Sequence, residues 1–173
     1  MLFRSADWDL VAQVAEGLDI PVLGSGDCVE PEQIVERMNS GVSGVLVGRG
    51  VLRNPWILAQ AADLAAGRPA REITMEQRGQ FLLDYIELLR HERVREEPGF
   101  RHVAPGVDNS QLPMSNAHKS HDRWVINKIR ALMSWYSKGL DGGSQLRVRV
   151  NSSNSLAELR DVINEFFLSV PVA

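Results

Sequence analysis

Hydrophobic and polar positions in the first third of the chain follow a helix, strand, helix, strand, helix order. Two short apolar runs, Ile20–Leu23 and Gly44–Val47, predict strands, and glycines follow each of them. Apolar residues at helical spacing predict the three helices, with inner positions at Leu10, Val11, Val14 and Leu18; at Ile34, Val35 and Met38; and at Trp56, Ile57, Leu58, Ala61, Ala62 and Leu64. This order predicts parallel strands, and their β-branched apolar sequences predict burial on both faces.

Start and stop signals support these three helices. Asp7 is a typical N-cap for the first, which should end between Gly17 and Asp19. Glu30–Glu32 opens the second helix with proline in its first turn, and Asn54–Pro55 opens the third, which should end at Gly67. The first 70 residues therefore read as successive β-α units.

From about Arg71 the pattern predicts helices without strands. Thr74 with Gln77 and Ser155 with Glu158 form capping boxes, the first opening a helix that should reach about Arg95. A further helix should start at Asp122 and stop near Gly139. The Pro-, Gly- and Ser-containing stretch Glu97–His121 predicts a loop, and the alternation in Arg147–Val150 indicates an extended segment. The apolar stripes are Phe81, Leu82, Tyr85, Leu88 and Leu89; Trp124, Val125, Ile129, Leu132, Met133, Trp135 and Tyr136; and Leu156, Leu159, Val162, Ile163, Phe166 and Phe167.

The glycine turns after the two predicted strands carry the first chemical signal. Gly24–Asp27 and Gly48–Gly50 place glycine where a missing Cβ lets backbone N–H groups approach an anion. Adjacent parallel strands end at the same edge, so we expect the two turns to form one phosphate cradle. In a TIM (β/α)8 barrel such a cradle follows strands seven and eight. The predicted fold is therefore α/β: C-terminal β-α units of a TIM barrel in residues 1–70, then an all-α helical bundle in residues 71–173.

Two other interpretations of these glycines remain open. They fit ordinary turn glycines, which commonly follow strands. They also resemble a dinucleotide fingerprint, but the first turn lacks the third glycine of that motif. The pairing of two such turns favours the phosphate interpretation.

Composition narrows the class of protein. With 173 residues, 44% hydrophobic and 24% charged, the chain is an ordinary soluble globular sequence, and its net charge of −3 argues against a uniformly basic surface. Cys28 is the only cysteine, so an intramolecular disulfide is impossible. No apolar run is long enough for a membrane span, and the N-terminus lacks a signal-peptide core. We therefore expect a cytoplasmic protein without membrane contact.

His102, His118 and His121 raise the question of a metal site. Zinc needs three or four ligands on a rigid frame, whereas these histidines lie in a predicted loop far from the cysteine. We predict no metal site.

Several motifs together resemble one family. They are Ala6–Asp9, Ile20–Val22, Gly26–Asp27, Val47–Gly50 and Asn54–Ile57, followed by Trp135–Leu140 and Leu146–Arg147. This series resembles the C-terminal part of tRNA-dihydrouridine synthases, namely the end of their barrel and their helical tRNA-binding domain. The glycine turns also occur in other flavin barrels, whereas the Asn-Pro-Trp and Trp-Tyr-x-Lys-Gly runs are more selective.

The resemblance implies an FMN enzyme that reduces uridine in tRNA, with NADPH as the reductant. It places Ser25, Gly26 and Asp27 in the first phosphate turn, and Gly48 and Arg49 in the second. The family usually has asparagine where Ser25 stands, so an amide side-chain contact is lost there.

The family's catalytic cysteine, flavin-contacting lysine and histidine-arginine motif lie upstream of everything matched here. Cys28 follows a phosphate turn and reads as a small buried thiol, so we predict no catalytic residue in this chain. We expect the chain alone to be inactive and to require a missing N-terminal barrel portion.

The helical part contains the candidate tRNA contacts, which are Lys128, Arg130, Lys138, Arg147 and Arg149. A solvated basic face is the alternative, and Ala131–Leu132 stands where relatives often have lysine and histidine. Trp135 and Tyr136 suit either base stacking or the core, with the core favoured by their spacing. Two other functions stay open: a noncatalytic RNA-binding module, and a fragment of another FMN barrel oxidoreductase that acts on a small molecule.

Overall fold

The computed structural model describes residues 5–91 and 114–168, and for residues 114–120 it describes the backbone only. Its elements are, in order, α1 Trp8–Glu16, β1 Leu23–Ser25, α2 Pro31–Met38, β2 Gly44–Leu46, α3 Arg49–Arg53, α4 Ile57–Ala65, α5 Met75–His91, α6 Met114–Tyr136, α7 Gly143–Ser152 and α8 Leu156–Ile163. A single π-helical turn, Asn164–Leu168, follows α8. The predicted order of β-α units is confirmed, with α3 as an additional short helix after β2.

The chain divides into two compact units. Unit 1 consists of Met1–Glu72 with Trp135–Lys138, and unit 2 consists of Ile73–Ser134 with Gly139–Ala173. Unit 1 contains both strands, and the described part of unit 2 is helical.

The two strands of unit 1 are parallel, as predicted. Leu23 pairs with Gly44, Gly24 with Val45, and Ser25 with Leu46. Helix α1 begins where expected, because the Asp7 side chain accepts a hydrogen bond from the Leu10 backbone N–H at 3.0 Å. The core of unit 1 is built from Trp8, Cys28, Ile34, Val42, Ile57 and Ala61.

The prediction of which apolar residues of unit 1 are buried was wrong in part. Helix α1 packs through Trp8 and Val11, whereas Leu10 and Val14 are exposed. The strands were predicted to be covered on both faces, but Leu23 is 58% exposed and Leu46 is 54% exposed. The Gly24 and Val45 side of the sheet meets α1, while nothing in the described residues buries the Leu23 and Leu46 side.

Two of the predicted helix starts in unit 2 are confirmed by their capping hydrogen bonds. The Thr74 hydroxyl accepts from the Gln77 backbone N–H at 3.1 Å, and the Gln77 side chain accepts from the Thr74 N–H at 2.9 Å. Ser155 likewise accepts from the Glu158 N–H at 3.2 Å. The side chains of Leu82, Ile86, Ile129, Leu146, Leu159 and Ile163 are almost completely buried and form the centre of this unit.

The predicted boundary between the loop and the helix that follows it in unit 2 is wrong. Helix α6 begins at Met114, so Asp122 lies inside it, and the predicted loop is helical from Met114 to His121. The sequence contains no proline or glycine between Pro113 and Gly139, so nothing interrupts a helix there. The rest of that loop, and the predicted extension of α5 to Arg95, lie outside the described residues.

The segment Arg147–Val150, predicted to be extended, is part of helix α7. Gly143, Leu146 and Val150 are buried at helical spacing, whereas Val148 is 66% exposed. Burial of residues three and four apart decided the conformation over the short local alternation. Arg147 and Arg149 therefore point about 200° apart around the helix, not to one side.

Candidate functional site

The two glycine turns meet at one end of the sheet. Ser25 and Leu46 are the last paired residues of the parallel strands, so both turns leave the same edge. A Cβ on Gly50 would lie 2.3 Å from the backbone oxygen of Cys28, which shows that the second turn contacts the first directly. The prediction that the turns are adjacent is confirmed.

Packing within the protein explains the glycines at and before the first turn. A Cβ on Gly24 would lie 2.4 Å from the Trp8 ring, and one on Gly26 would lie 2.5 Å from the Ala6 Cβ. Gly26 also has a φ of 125°, a conformation that other residues rarely adopt. The Trp8 indole N–H donates to the Gly26 carbonyl at 3.1 Å, so Trp8 both covers the strand and holds the turn.

The Asp27 carboxylate is occupied by the protein itself. Its Oδ2 atom accepts from the Ala6 backbone N–H at 2.6 Å, and Asp27 adopts a φ of 51°. This hydrogen bond joins the turn to the segment before α1. A carboxylate also repels phosphate, so Asp27 suits a phosphate site through its backbone N–H only.

The second turn is open at Gly48. Among the described residues, no atom beyond its immediate chain neighbours lies within 4 Å of the position that a Cβ would take there, in contrast to Gly24, Gly26 and Gly50. Gly26 and Gly48 lie in these two turns, where backbone N–H groups can approach a ligand closely. Backbone N–H groups beside an open glycine suit a phosphate group.

Cys28 is a buried structural thiol, as predicted. Its side chain is 5% exposed and its Sγ–H donates to the Gly26 carbonyl at 3.4 Å. Burial raises the pKa of this thiol above its ordinary value, which keeps it protonated at neutral pH.

The predicted RNA-contact residues have different surroundings. The Lys128 ammonium lies 5.3 Å from the centre of the Trp124 ring, on which the His121 ring stacks at 5.5 Å. The Lys138 ammonium lies 3.8 Å from the centre of the Trp135 ring. Both lysines are exposed. Each of these two lysines therefore sits beside an aromatic surface, an arrangement that suits nucleic acid.

The arginines among the predicted RNA contacts are partly used by the protein. Arg130 donates to the Ser153 carbonyl at 2.8 Å and to the Asn127 side chain at 3.2 Å. Arg149 forms an ion pair with Glu165, which raises the pKa of the arginine and lowers that of the glutamate. The five basic residues do not form one uniform cluster.

Sequence reasoning missed two polar contacts in unit 1. Asp63, buried within the apolar helix α4, accepts from Arg68 at 2.8 Å and from Arg71 at 2.7 Å. These hydrogen bonds hold the pKa of the Asp63 carboxyl far below its ordinary value. The sequence signal that could have revealed these contacts is the presence of an aspartate within the apolar helix Ile57–Ala65.

The second missed contact joins distant parts of the chain. The Arg49 guanidinium lies 5.9 Å from the centre of the Trp135 ring, and both residues belong to unit 1. No local sequence pattern predicts a contact between residues so far apart in the chain.

Within the described residues, no three His, Cys, Asp or Glu side chains are grouped so as to hold a metal ion. His102 lies outside those residues, and His121 is near the Arg90 carbonyl at 3.3 Å as well as against Trp124. No described helix is both long and apolar enough to cross a membrane.

Parallel strands that end in adjacent glycine turns define an α/β protein with a candidate phosphate site. The family model for dihydrouridine synthase matches residues 2–170. The chain belongs to the dihydrouridine synthase family.

Curated relatives agree with this assignment. The chain is 26% identical to a probable tRNA-dihydrouridine synthase of Rickettsia bellii over 96% of its own length and 43% of the relative's. It is 30% identical to a probable tRNA-dihydrouridine synthase of Mycobacterium leprae, covering 96% of this chain and 37% of that one. It is 31% identical to the tRNA-dihydrouridine(47) synthase [NAD(P)(+)] of Coprinopsis cinerea, covering 95% and 25% respectively. The chain thus spans less than half the length of these relatives.

Proposed function

We propose that this chain supplies the C-terminal part of a tRNA-dihydrouridine synthase, a flavin-dependent enzyme that reduces uridine in tRNA. The family match over residues 2–170 carries this proposal. The meeting of the two glycine turns at the carboxyl edge of parallel strands supports it, because a barrel binds phosphate at that edge. The match favours this function over that of another flavin barrel acting on a small molecule.

The phosphate group of FMN is the ligand proposed for the two turns. Ser25, Gly26 and Asp27 line the first turn, and Gly48 and Arg49 line the second. The backbone N–H groups of Gly26 and Gly48 are the proposed donors, and the open side of Gly48 admits the phosphate. When bound, FMN would supply hydride transfer, with NADPH as its reductant. The role of these residues is to hold and orient the cofactor.

The helical residues are proposed to bind tRNA phosphates. Lys128 and Lys138 are the strongest candidates because each is exposed beside a tryptophan. Among the described residues, no carboxylate forms an ion pair with either lysine. Arg147, Arg130 and Arg149 complete the proposed set. The pairing of Arg149 with Glu165 lowers the net charge that this arginine contributes.

The chain is proposed to need the remaining part of the barrel for catalysis. Reduction of uridine requires a proton donor besides the hydride. Cys28, the only cysteine, is buried against the Gly26 carbonyl and cannot reach a substrate without disrupting the turn. We therefore expect no dihydrouridine formation by the chain alone.

Binding of tRNA across a salt series tests the proposed RNA contacts. Replacing Lys138 and Arg147 together with glutamine should lower the slope of log affinity against log salt by roughly one to two, because each phosphate contact releases about one counterion. The matched control is Arg53→Gln with Arg90→Gln, which removes the same charge from arginines paired with Glu30 and Glu87. No affinity of the wild-type chain for tRNA would contradict the proposal.

Titration with FMN tests the phosphate turns. Gly48→Ala should weaken whatever FMN affinity the chain has, since its Cβ enters the open space, while Gly17→Ala should leave it unchanged. We expect the wild-type affinity to be weak, because two strands cannot enclose a flavin ring. Stoichiometric FMN that survives dialysis would contradict that expectation.

A further inference from the structure

Trp135 is bracketed by two cations within unit 1. The Arg49 guanidinium and the Lys138 ammonium lie 5.9 and 3.8 Å from the centre of its ring. Both cations are exposed, whereas the ring is half-buried. The indole therefore gives two side chains from different parts of the sequence a common surface.

Neither cation has an acidic partner in the part of the chain that the structure describes. Among the described residues, no carboxylate lies within ion-pair distance of Arg49 or Lys138. Other arginines of unit 1 are neutralised, Arg53 by Glu30 and Arg71 by Asp63. Two cations that share one ring lie about one Debye length apart or closer, so they repel each other until an anion arrives. In a chain of net charge −3, this local excess of positive charge is the opposite of the average surface.

The backbone and the side chain of Arg49 have different surroundings. Arg49 follows Gly48, whose open side is proposed for the FMN phosphate, yet its guanidinium lies against Trp135. A guanidinium held on an aromatic ring keeps its N–H edge free to donate to phosphate oxygens. Lys138, on the same ring, is already a candidate tRNA contact.

We propose that the Arg49 side chain, Trp135 and Lys138 form one binding site for the phosphodiester backbone of the RNA substrate, and that Arg49 contacts FMN through its backbone alone. This inference rests on the proposed function. Trp135 is a positioning residue that holds both cations toward the same stretch of backbone.

The experiment measures tRNA affinity of the full chain across a salt series, with FMN titration in parallel. Arg49→Gln should lower the salt slope by about one and weaken tRNA binding about five- to eightfold at 0.1 M salt. Arg49→Lys, which keeps the charge, should restore the slope. Arg53→Gln is the matched control on the same short helix, because Glu30 already neutralises Arg53. FMN affinity should be the same in all four proteins.

Double variants test the role of Trp135. Trp135→Leu should weaken tRNA binding in the wild-type background and have little further effect in Arg49→Gln, because the two act through one surface. Trp135→Phe keeps an aromatic face and should retain most of the affinity, and the Arg49 variants decide the question if Trp135→Leu unfolds.

Three results would overturn the inference. If Arg49→Gln binds tRNA like Arg53→Gln, the side chain does not contact RNA, and the proposed function stands. If Arg49→Gln loses FMN affinity while tRNA binding is unchanged, the guanidinium belongs to the cofactor site. If the wild-type chain binds no tRNA, the proposed function fails and this site fails with it.

Discussion

The two units differ in how completely each buries its apolar side chains. Unit 2 has a closed centre in which Leu82, Ile86 and Ile163 are fully buried. Unit 1 exposes Ile20, Leu23 and Leu46, all in or next to its strands. Helices with one apolar stripe can bury those stripes against one another, whereas a two-stranded sheet has two faces and two open edges to cover. The exposed apolar residues of unit 1 are what we expect of two strands that belong to a larger barrel, as proposed above. In such a barrel, the sheet face that carries Leu23 and Leu46 would be covered.

The largest test of this comparison is truncation in the closed core. Leu82→Ala should lower the free energy of unfolding by about 2–5 kcal/mol, because Leu82 is 0% exposed and its removal leaves a cavity. Leu88→Ala, on the same helix but 54% exposed, should have a much smaller effect. Urea unfolding followed by circular dichroism measures both. Equal losses would show that unit 2 is not closed as described.

A second test adds a methyl group to unit 1. Gly24→Ala should cost about 1–3 kcal/mol, because its Cβ would lie 2.4 Å from the Trp8 ring and the helix would have to shift. Gly17→Ala serves as the control, since its Cβ would meet no atom closer than 3.5 Å. Unfolding monitored by tryptophan fluorescence gives the difference. If Gly24→Ala were neutral, the packing of α1 on the sheet would be looser than the structure shows.

The third test concerns the ion pairs that close α4 in unit 1. The pKa of Asp63 is lower in the folded chain than its ordinary value of 3.8, because Arg71 and Arg68 donate to it. Its stabilising contribution is thus fully present above about pH 4 and is lost as pH falls through the folded-state pKa. Asp63→Asn should remove that part of the pH dependence. Acid titration of the unfolding midpoint, in the wild-type chain and in this variant, measures the difference.

The smallest expected effect on stability comes from the exposed sheet face. Replacing Leu23 and Leu46 with serine should change the free energy of unfolding by no more than about 0.5 kcal/mol each, since both are more than half exposed. It should nevertheless reduce self-association, because apolar strand residues in solvent promote pairing with other chains. Sedimentation velocity at several concentrations would show it. Unchanged self-association would exclude this face as the cause.

Local signals were the part of the structure that sequence reasoning read correctly. The caps at Asp7, Thr74 and Ser155 form as predicted, because each depends on hydrogen bonds between residues three apart. The adjacency of the turns after β1 and β2 also followed from sequence, since two parallel strands must end at the same edge. The family motifs extended this reading to a proposed function.

Other features needed the folded chain. Local alternation favoured an extended Arg147–Val150, but burial of Leu146 and Val150 in unit 2 made it helical. The apolar face predicted for α1 was wrong in part, because Trp8 took the place against Gly24 and left Leu10 outside. Such outcomes depend on which surface a neighbour offers, and a neighbour distant in sequence leaves no local trace.

The same distinction applies to the candidate site. The sequence alone determined where glycines interrupt the strands and which residue types are charged, since these are properties of adjacent residues. Only the tertiary structure decided that the Asp27 carboxylate accepts a hydrogen bond from the Ala6 N–H and that Arg149 forms an ion pair with Glu165. It also decided that Arg49 and Lys138 both contact the Trp135 ring. The physical reason is that charge becomes available or neutralised through contacts at a few ångströms, and long-range folding sets those contacts.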